Sequence, residues 1–211
     1  MILSSHDQRR VGSIGKPIGE VQFKVTDEGE LAIKADGCTP GYYRQEEKTA
    51  ELIRDGWLHT GDKVRVDEDG FIYITGRVKD YFKTIQGKFV APPPIESAFA
   101  KNPHAEQQCL LGRGFSKTVM VLVLTEEAQG SPEQEIEDSI LATVREINED
   151  IEKHARVGAV IVSREPWSIE NEVLTPTLKI RREKVEERFA ELAEQLARNS
   201  AEQRELLLHW H

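Results

Sequence analysis

The sequence predicts an α+β fold in two parts: a β-rich stretch, then an α+β domain of small sheets flanked by helices. Three observations predict it. Short alternating segments bounded by glycine-containing turns fill the first seventy or so positions. Wholly apolar runs such as Thr118–Leu124 in the second part read as buried core strands. Two long segments there carry apolar residues at three- and four-residue steps, the mark of amphipathic helices.

The elements follow in order. Val21–Val25 alternates and reads as a strand, Asp27-Glu28-Gly29 as a turn, and Glu30–Lys34 as a second strand. Gln45–Ile53 reads as a short helix ended by Asp55-Gly56. Val64–Val66 and Phe71–Ile74 form a hairpin around Asp67-Glu68-Asp69-Gly70. The Asp-x-Asp-Gly in that turn lacks the further spaced ligands and distal Glu of a calcium loop, so a plain turn is expected.

The composition changes at Gly76. Tyr81–Thr84 and Lys88–Val90 suit a small hairpin around Gln86-Gly87, and Ala91-Pro92-Pro93-Pro94 delivers the chain into a helix over Ile95–Lys101. Gln108–Leu111 and Thr118–Leu124 read as core strands. Ser131 is the expected N-cap of a long helix, with Pro132 in its first turn. Its stripe is Ile136, Ile140, Val144, Ile147 and Ile151, and its many carboxylates suit a solvated face. Ala159–Val162 is another buried strand. A polar loop with Asn171 and Pro176 then leads to a last helix, Arg182–Arg198, with Val185, Phe189, Leu192 and Leu196 inward. His209-Trp210-His211 reads as a frayed tail rather than a metal site.

Composition narrows the function classes. Of 211 residues 38% are hydrophobic, so a packed core is within reach. With 37 acidic and 28 basic residues the net charge is −9, which disfavours nonspecific contact with nucleic acid or anionic membrane. Cys38 and Cys109 show no metal spacing and are expected as reduced thiols. No apolar run approaches the ~18 residues of a membrane span. Met1-Ile2-Leu3 passes at once into Ser4-Ser5-His6-Asp7, so no signal peptide is expected. A cytoplasmic location follows as the expectation, with peripheral membrane association left open.

Gly56-Trp57-Leu58-His59-Thr60-Gly61-Asp62 is the most telling stretch. It is similar to the GWxxTGD segment of the adenylate-forming superfamily, which includes acyl-CoA synthetases, peptide-synthetase adenylation domains and beetle luciferases. Gly41-Tyr42-Tyr43 resembles that family's GYY element, and Gly76-Arg77-Val78-Lys79-Asp80 its interdomain hinge. Gly87–Pro92 with Ile95-Glu96 resembles the segment after the hinge, and Thr175–Arg182 the lysine-bearing loop. These elements stand in family order over nearly the whole chain. Gly-Lys-Phe-Val-Ala-Pro and Leu-Thr-Pro-Thr-Leu-Lys are most similar to the long-chain fatty acyl-CoA synthetase branch. The family's Ser/Thr/Gly-rich phosphate loop and its YGxTE segment do not occur in these residues. The resemblance therefore covers a C-terminal portion. Residues 1–76 resemble the last subdomain of the large adenylation domain and 77–198 the small mobile domain, with 199–211 a tail.

The resemblance implies a chemistry. A fatty acid carboxylate joins the α-phosphate of ATP, with Mg2+, and coenzyme A then takes the acyl group. Lys179 matches the catalytic lysine that bridges two anionic reactants as charge develops. A flexible ammonium suits a group that must arrive and leave. Asp62 matches the carboxylate that accepts bonds from the ribose hydroxyls. Arg77 matches an arginine at ribose or phosphate. Lys79 falls at the hinge and beside the nucleotide. Lys83 matches a further nucleotide contact in some members, though an ordinary surface lysine would look the same. Gln86 and Gly87 match the loop that turns towards the coenzyme A channel. There a tight turn beside a ligand favours glycine, and a plain hairpin glycine is equally compatible. No metal site is expected, and His59 is expected to be structural. The missing N-terminal domain is the implied partner, and the residues present are expected to be inactive alone. Two alternatives stay open: a non-catalytic module that binds a partner, and an adenylating enzyme with a carrier-protein thiol as acceptor.

Overall fold

Strand pairing in the first part follows the alternation of the sequence. A computed structural model describes residues 2–3 and 9–211. Met1 and residues 4–8, on which the signal-peptide reading rests, lie outside the described residues. The chain divides into two compact units, Met1–Lys79 and Asp80–His211.

In the first unit, β1 (Ile2–Leu3) pairs with β2 (Lys16–Pro17). A five-stranded antiparallel sheet then forms from β3 (Gln22–Val25), β4 (Glu30–Lys34), β5 (Ile53–Arg54), β6 (Trp57–Val66) and β7 (Ile72–Arg77), with helix α1 (Glu46–Leu52) before β5. Long β6 is the centre: β4 pairs along one side of it, β5 and β7 with its two halves. Leu31, Val64 and Ile72 are buried at a small core, with Ile14, Phe23, Ile33 and Val66 packed around them. Asp67-Glu68-Asp69-Gly70 forms the β6–β7 turn, with Asp67 Oδ1 accepting the Asp69 and Phe71 N–H groups. Asp55-Gly56, expected as a helix stop, is instead the two-residue turn of the β5–β6 hairpin. Both residues have positive φ, 51° and 76°, as that tight turn requires.

The second unit opens with β8 (Phe82–Lys83) and β9 (Phe89–Val90), then α2 (Pro92–Phe99). Its main sheet has the order β10 (Ala105–Leu111), β11 (Thr118–Leu124), β12 (Val157–Ser163), β13 (Leu207–Trp210). Helix α3 (Glu133–Asp150) connects β11 to β12, and α4 (Arg182–Gln203) connects β12 to β13. Both connected pairs are parallel. The helices cover both faces of the sheet, which explains why β11 is apolar throughout. Met120, Leu122 and Leu124 face Ile95, Phe99, Ile136 and Ile140. Val119, Val121 and Val123 face Val185, Phe189, Ala193 and Leu196.

Four further sequence expectations are corrected here. Helix α2 begins at Pro92, not Ile95, because a first turn needs no amide donors and tolerates proline. Ser131 does not cap α3; Pro132 occupies the cap in an extended conformation, and the Ser131 N–H closes the preceding turn on Ala128. On α4, Leu192 is only half-buried, and Ala193 and Ala197 fill that part of the stripe. The terminal residues are not frayed: β13 is paired with β12, Trp210 Nε1 donates to Glu137 at 2.6 Å, and the His211 ring packs edge-on to Phe189.

Candidate functional site

In the first unit the site is built on a bulge. Ala32 pairs with His59 and Glu30 with Lys63, so three residues of β6, Thr60 to Asp62, bow out opposite Leu31. Gly61 takes φ 73° to allow it. Side chains replace the lost ladder bonds. Thr60 Oγ1 donates to the Leu31 carbonyl at 2.9 Å and accepts the Asp62 N–H at 3.1 Å. Glu30, buried at 6% exposure, accepts the Gly61 N–H at 2.9 Å. Its other oxygen lies 2.7 Å from His59 Nδ1 and 3.1 Å from Arg54.

Burial alone would raise the Glu30 pKa. The His59 bond, the Gly61 N–H and the charges of His59 and Arg54 together outweigh it and hold the carboxyl below its ordinary value. Glu30 was not singled out from the sequence. Its partners are 24 to 31 positions away, so no local pattern marks it.

The bulge brings Asp62 opposite Arg77, the last residue of β7. Arg77 Nε lies 3.0 Å from Asp62 Oδ1, and its Nη1 donates to the Thr60 carbonyl at 3.2 Å. The pair is thus held by the same bulge that Glu30 fixes. Lys79 is exposed in a single 3-10 turn, Val78–Asp80, directly after β7. It lines a cleft of about 910 Å3 with Glu30, His59, Gly61, Lys48 and Tyr42.

In the second unit, Lys83 is exposed on β8 with its ammonium 4.7 Å from the Phe89 ring centre. The β8–β9 turn holds Gln86 and Gly87. The Gly87 N–H donates to Thr84 at 2.9 Å, and the Gln86 amide reaches the Ser116 carbonyl at 3.4 Å. Gly87 has φ 73°, and a Cβ there would meet open space. Backbone conformation, not crowding, is what the structure asks of this glycine.

Lys179 sits at the tip of a braced loop. The Thr175 N–H donates to the Lys179 carbonyl at 2.8 Å, the Lys179 N–H to Thr175 Oγ1 at 3.0 Å, and Leu178 takes φ 59°. Buried Val173 and Leu174 anchor the base. The ammonium is exposed and makes no ion pair among the described residues, nor any bond to Lys83, Gln86 or Gly87. Three residues on, Arg182 fixes the exit of the loop. It donates to Glu96 at 2.7 Å, to the Leu110 carbonyl at 2.6 Å and to Cys109 Sγ at 3.1 Å. The Glu96 carboxylate also accepts the Leu110 N–H at 2.7 Å. Burial pushes the Cys109 thiol up to about 12, against the lowering effect of Arg182. Among the described residues no group of His, Cys, Asp and Glu is arranged to hold a metal ion. Among the described residues no helix is long and apolar enough to cross a membrane.

The profile of the AMP-binding enzyme C-terminal domain matches residues 79–201, more than half of the chain. The chain belongs to this family. AMP-binding relatives include the long-chain-fatty-acid–CoA ligase FadD15 of Mycobacterium tuberculosis, 29% identical over 89% of this chain and 34% of that protein. Mouse long-chain-fatty-acid–CoA ligase 5 is 32% identical over 76% of this chain and 26% of its own length. Among solved structures, the adenylation domain of a carboxylate reductase from Mycobacterium chelonae superposes with a TM-score of 0.75. It is 26% identical, over 88% of this chain and 32% of the other. The A-PCP didomain of the Segniliparus rugosus carboxylic acid reductase, in complex with AMP, gives 0.72 and 30%, over 90% and 29%. The chain thus spans between about a quarter and a third of the length of these curated relatives. Strand β13 lies past the span matched by the family.

Proposed function

We propose that the chain is the C-terminal portion of an ATP-dependent, AMP-forming long-chain fatty acid–CoA ligase. The observation that carries this reading is the Lys179 loop, which holds an unpaired cation at the tip of a turn braced from both sides. The named ligase relatives support the substrate class.

In the first step the fatty acid carboxylate attacks the α-phosphorus of ATP, an acyl–phosphate bond forms and pyrophosphate leaves. Lys179 neutralises the two anions as they meet. Asp62 accepts bonds from the ribose hydroxyls, using acceptor capacity that its single Arg77 contact leaves free. Arg77 offers its remaining donors to ribose or phosphate, and Lys83 adds a further contact to the nucleotide. Mg2+ arrives with ATP. Rotation about Lys79 then withdraws Lys179 and brings the Gln86-Gly87 turn to the pantetheine channel. The thiol of coenzyme A attacks the acyl carbonyl, and AMP leaves.

The 211 residues contain no Ser/Thr/Gly-rich phosphate loop, so by themselves they do not form adenylate. ATP–pyrophosphate exchange with a long-chain fatty acid tests this. The purified chain gives background exchange on this reading, and robust exchange would overturn it. A second reading, with a carrier-protein thiol as acceptor, draws support from the likeness to the A-PCP didomain. Transfer to coenzyme A in preference to a carrier domain decides between the two.

A further inference from the structure

One pocket of the second unit gathers positive charge on side chains that the reading above does not use. It lies where β12 begins, beside the last turns of α3 and α4, and has a volume of about 400 Å3. Lys117, Arg156 and Arg204 line it against one carboxylate, Glu205. None of the three cations forms an ion pair with Glu205 or with any other described residue. The Nε–H of Arg156 is buried without an acceptor.

The neutral polar groups of the pocket are already engaged. The Asn148 amide exchanges two bonds of 2.8 Å with the Val157 backbone. Ser200 Oγ donates to the Glu205 carbonyl at 2.6 Å. What remains free is a set of cationic donors, two of them planar guanidinium forks. The C-terminal ends of α3 and α4 attract cations, each with about half a negative charge. Those two halves and one carboxylate still fall short of three full positive charges. A local excess of this sign stands out in a chain of net charge −9.

We propose that this pocket binds a phosphoryl group, either as free phosphate or as the phosphomonoester end of a larger molecule. Such a group carries about −1.5 to −2 charges and three acceptor oxygens, which matches two forks and a point charge. The pocket is larger than phosphate alone and leaves room for the atoms to which a phosphomonoester is attached. The inference goes beyond the ligase reading and stands whether or not that reading holds.

The test uses the 211-residue chain at constant ionic strength, with inorganic phosphate as probe and binding followed by phosphorus NMR and calorimetry. Saturable binding is expected. Arg156→Gln and Lys117→Gln each weaken it about tenfold, the loss of one charge-assisted bond. Arg156→Lys, which keeps the charge and loses the fork, falls between. Lys153→Gln, which does not line the pocket, leaves binding unchanged. Coenzyme A and dephospho-coenzyme A separate the two sources. Tighter binding of the former assigns a phosphomonoester, and equal binding, both weaker than phosphate, assigns the free ion. Circular dichroism confirms that each variant is folded. The proposal is overturned if neither phosphate nor coenzyme A binds saturably, or if binding is indifferent to both Arg156→Gln and Lys117→Gln.

Discussion

Asp62 and Arg77 stand directly opposite each other across the β6–β7 ladder, with the guanidinium Nε 3.0 Å from the carboxylate. The arginine side chain is 59% exposed, so the pair adds little to folding, about 0–1 kcal/mol. Its value is geometric, a carboxylate and a fork fixed side by side at a bulge. Asp62→Asn is therefore expected to leave the urea midpoint of the chain nearly unchanged. In the chain joined behind the N-terminal portion of a long-chain fatty acid–CoA ligase, the same change is expected to raise the KM for ATP about tenfold or more. An unchanged KM would remove Asp62 from the nucleotide grip.

Glu30 sets that bulge, and its ionisation links it to pH. Its folded pKa lies below the ordinary 4.5. The carboxylate therefore contributes stability above the unfolded value, and that stability is lost as pH falls through the folded one. Glu30→Gln is expected to cost about 1–3 kcal/mol near neutral pH and to flatten the acid limb of the stability curve. Hydrogen exchange of the β4 and β6 amides reads both effects. An acid limb identical to the parent would show that Glu30 does not carry it.

Arg182 binds the exit of the Lys179 loop to Glu96, whose side chain is only 17% exposed. Arg182→Ala leaves that carboxylate without its cation, at an expected cost of about 1.5–3 kcal/mol. The amide of Lys179, which donates to Thr175 Oγ1, should then exchange faster than those of β11. A uniform change across the unit would mean that Arg182 supports the fold without aiming the loop.

Cys109 is fully buried and its thiol is pushed up to about 12, while Cys38 is partly exposed. At about pH 8 a disulfide reagent should titrate one thiol of the native chain quickly and the second only after denaturation, because the thiolate is the reacting form. Two fast thiols would contradict the packing of β10.

Much of the fold is legible in the sequence because its signals are local. Glu30–Lys34 and Thr118–Leu124 are strands over the expected residues, and Ile136, Ile140, Val144 and Ile147 bury the α3 stripe as their spacing predicts. The features that escape are made by distant partners. Leu207–Trp210 is too short and mixed to read as a strand; β12, more than forty positions earlier, makes it one. The Glu30 knot and the Glu96–Arg182 pair join residues 29 and 86 positions apart, so nothing around either residue announces them. The motifs named Asp62 and Arg77 by resemblance, and the bulge supplies the physical reason they sit together.

The most direct test of the central claim separates the two half-reactions. In the chain joined behind the N-terminal portion of a long-chain fatty acid–CoA ligase, Lys179→Ala is measured in ATP–pyrophosphate exchange and in thioester formation from premade acyl-adenylate. The account predicts that exchange falls by a factor of about a hundred or more, as for loss of a transition-state contact, while thioester formation is kept. Equal loss of both steps, or retention of both, would contradict it.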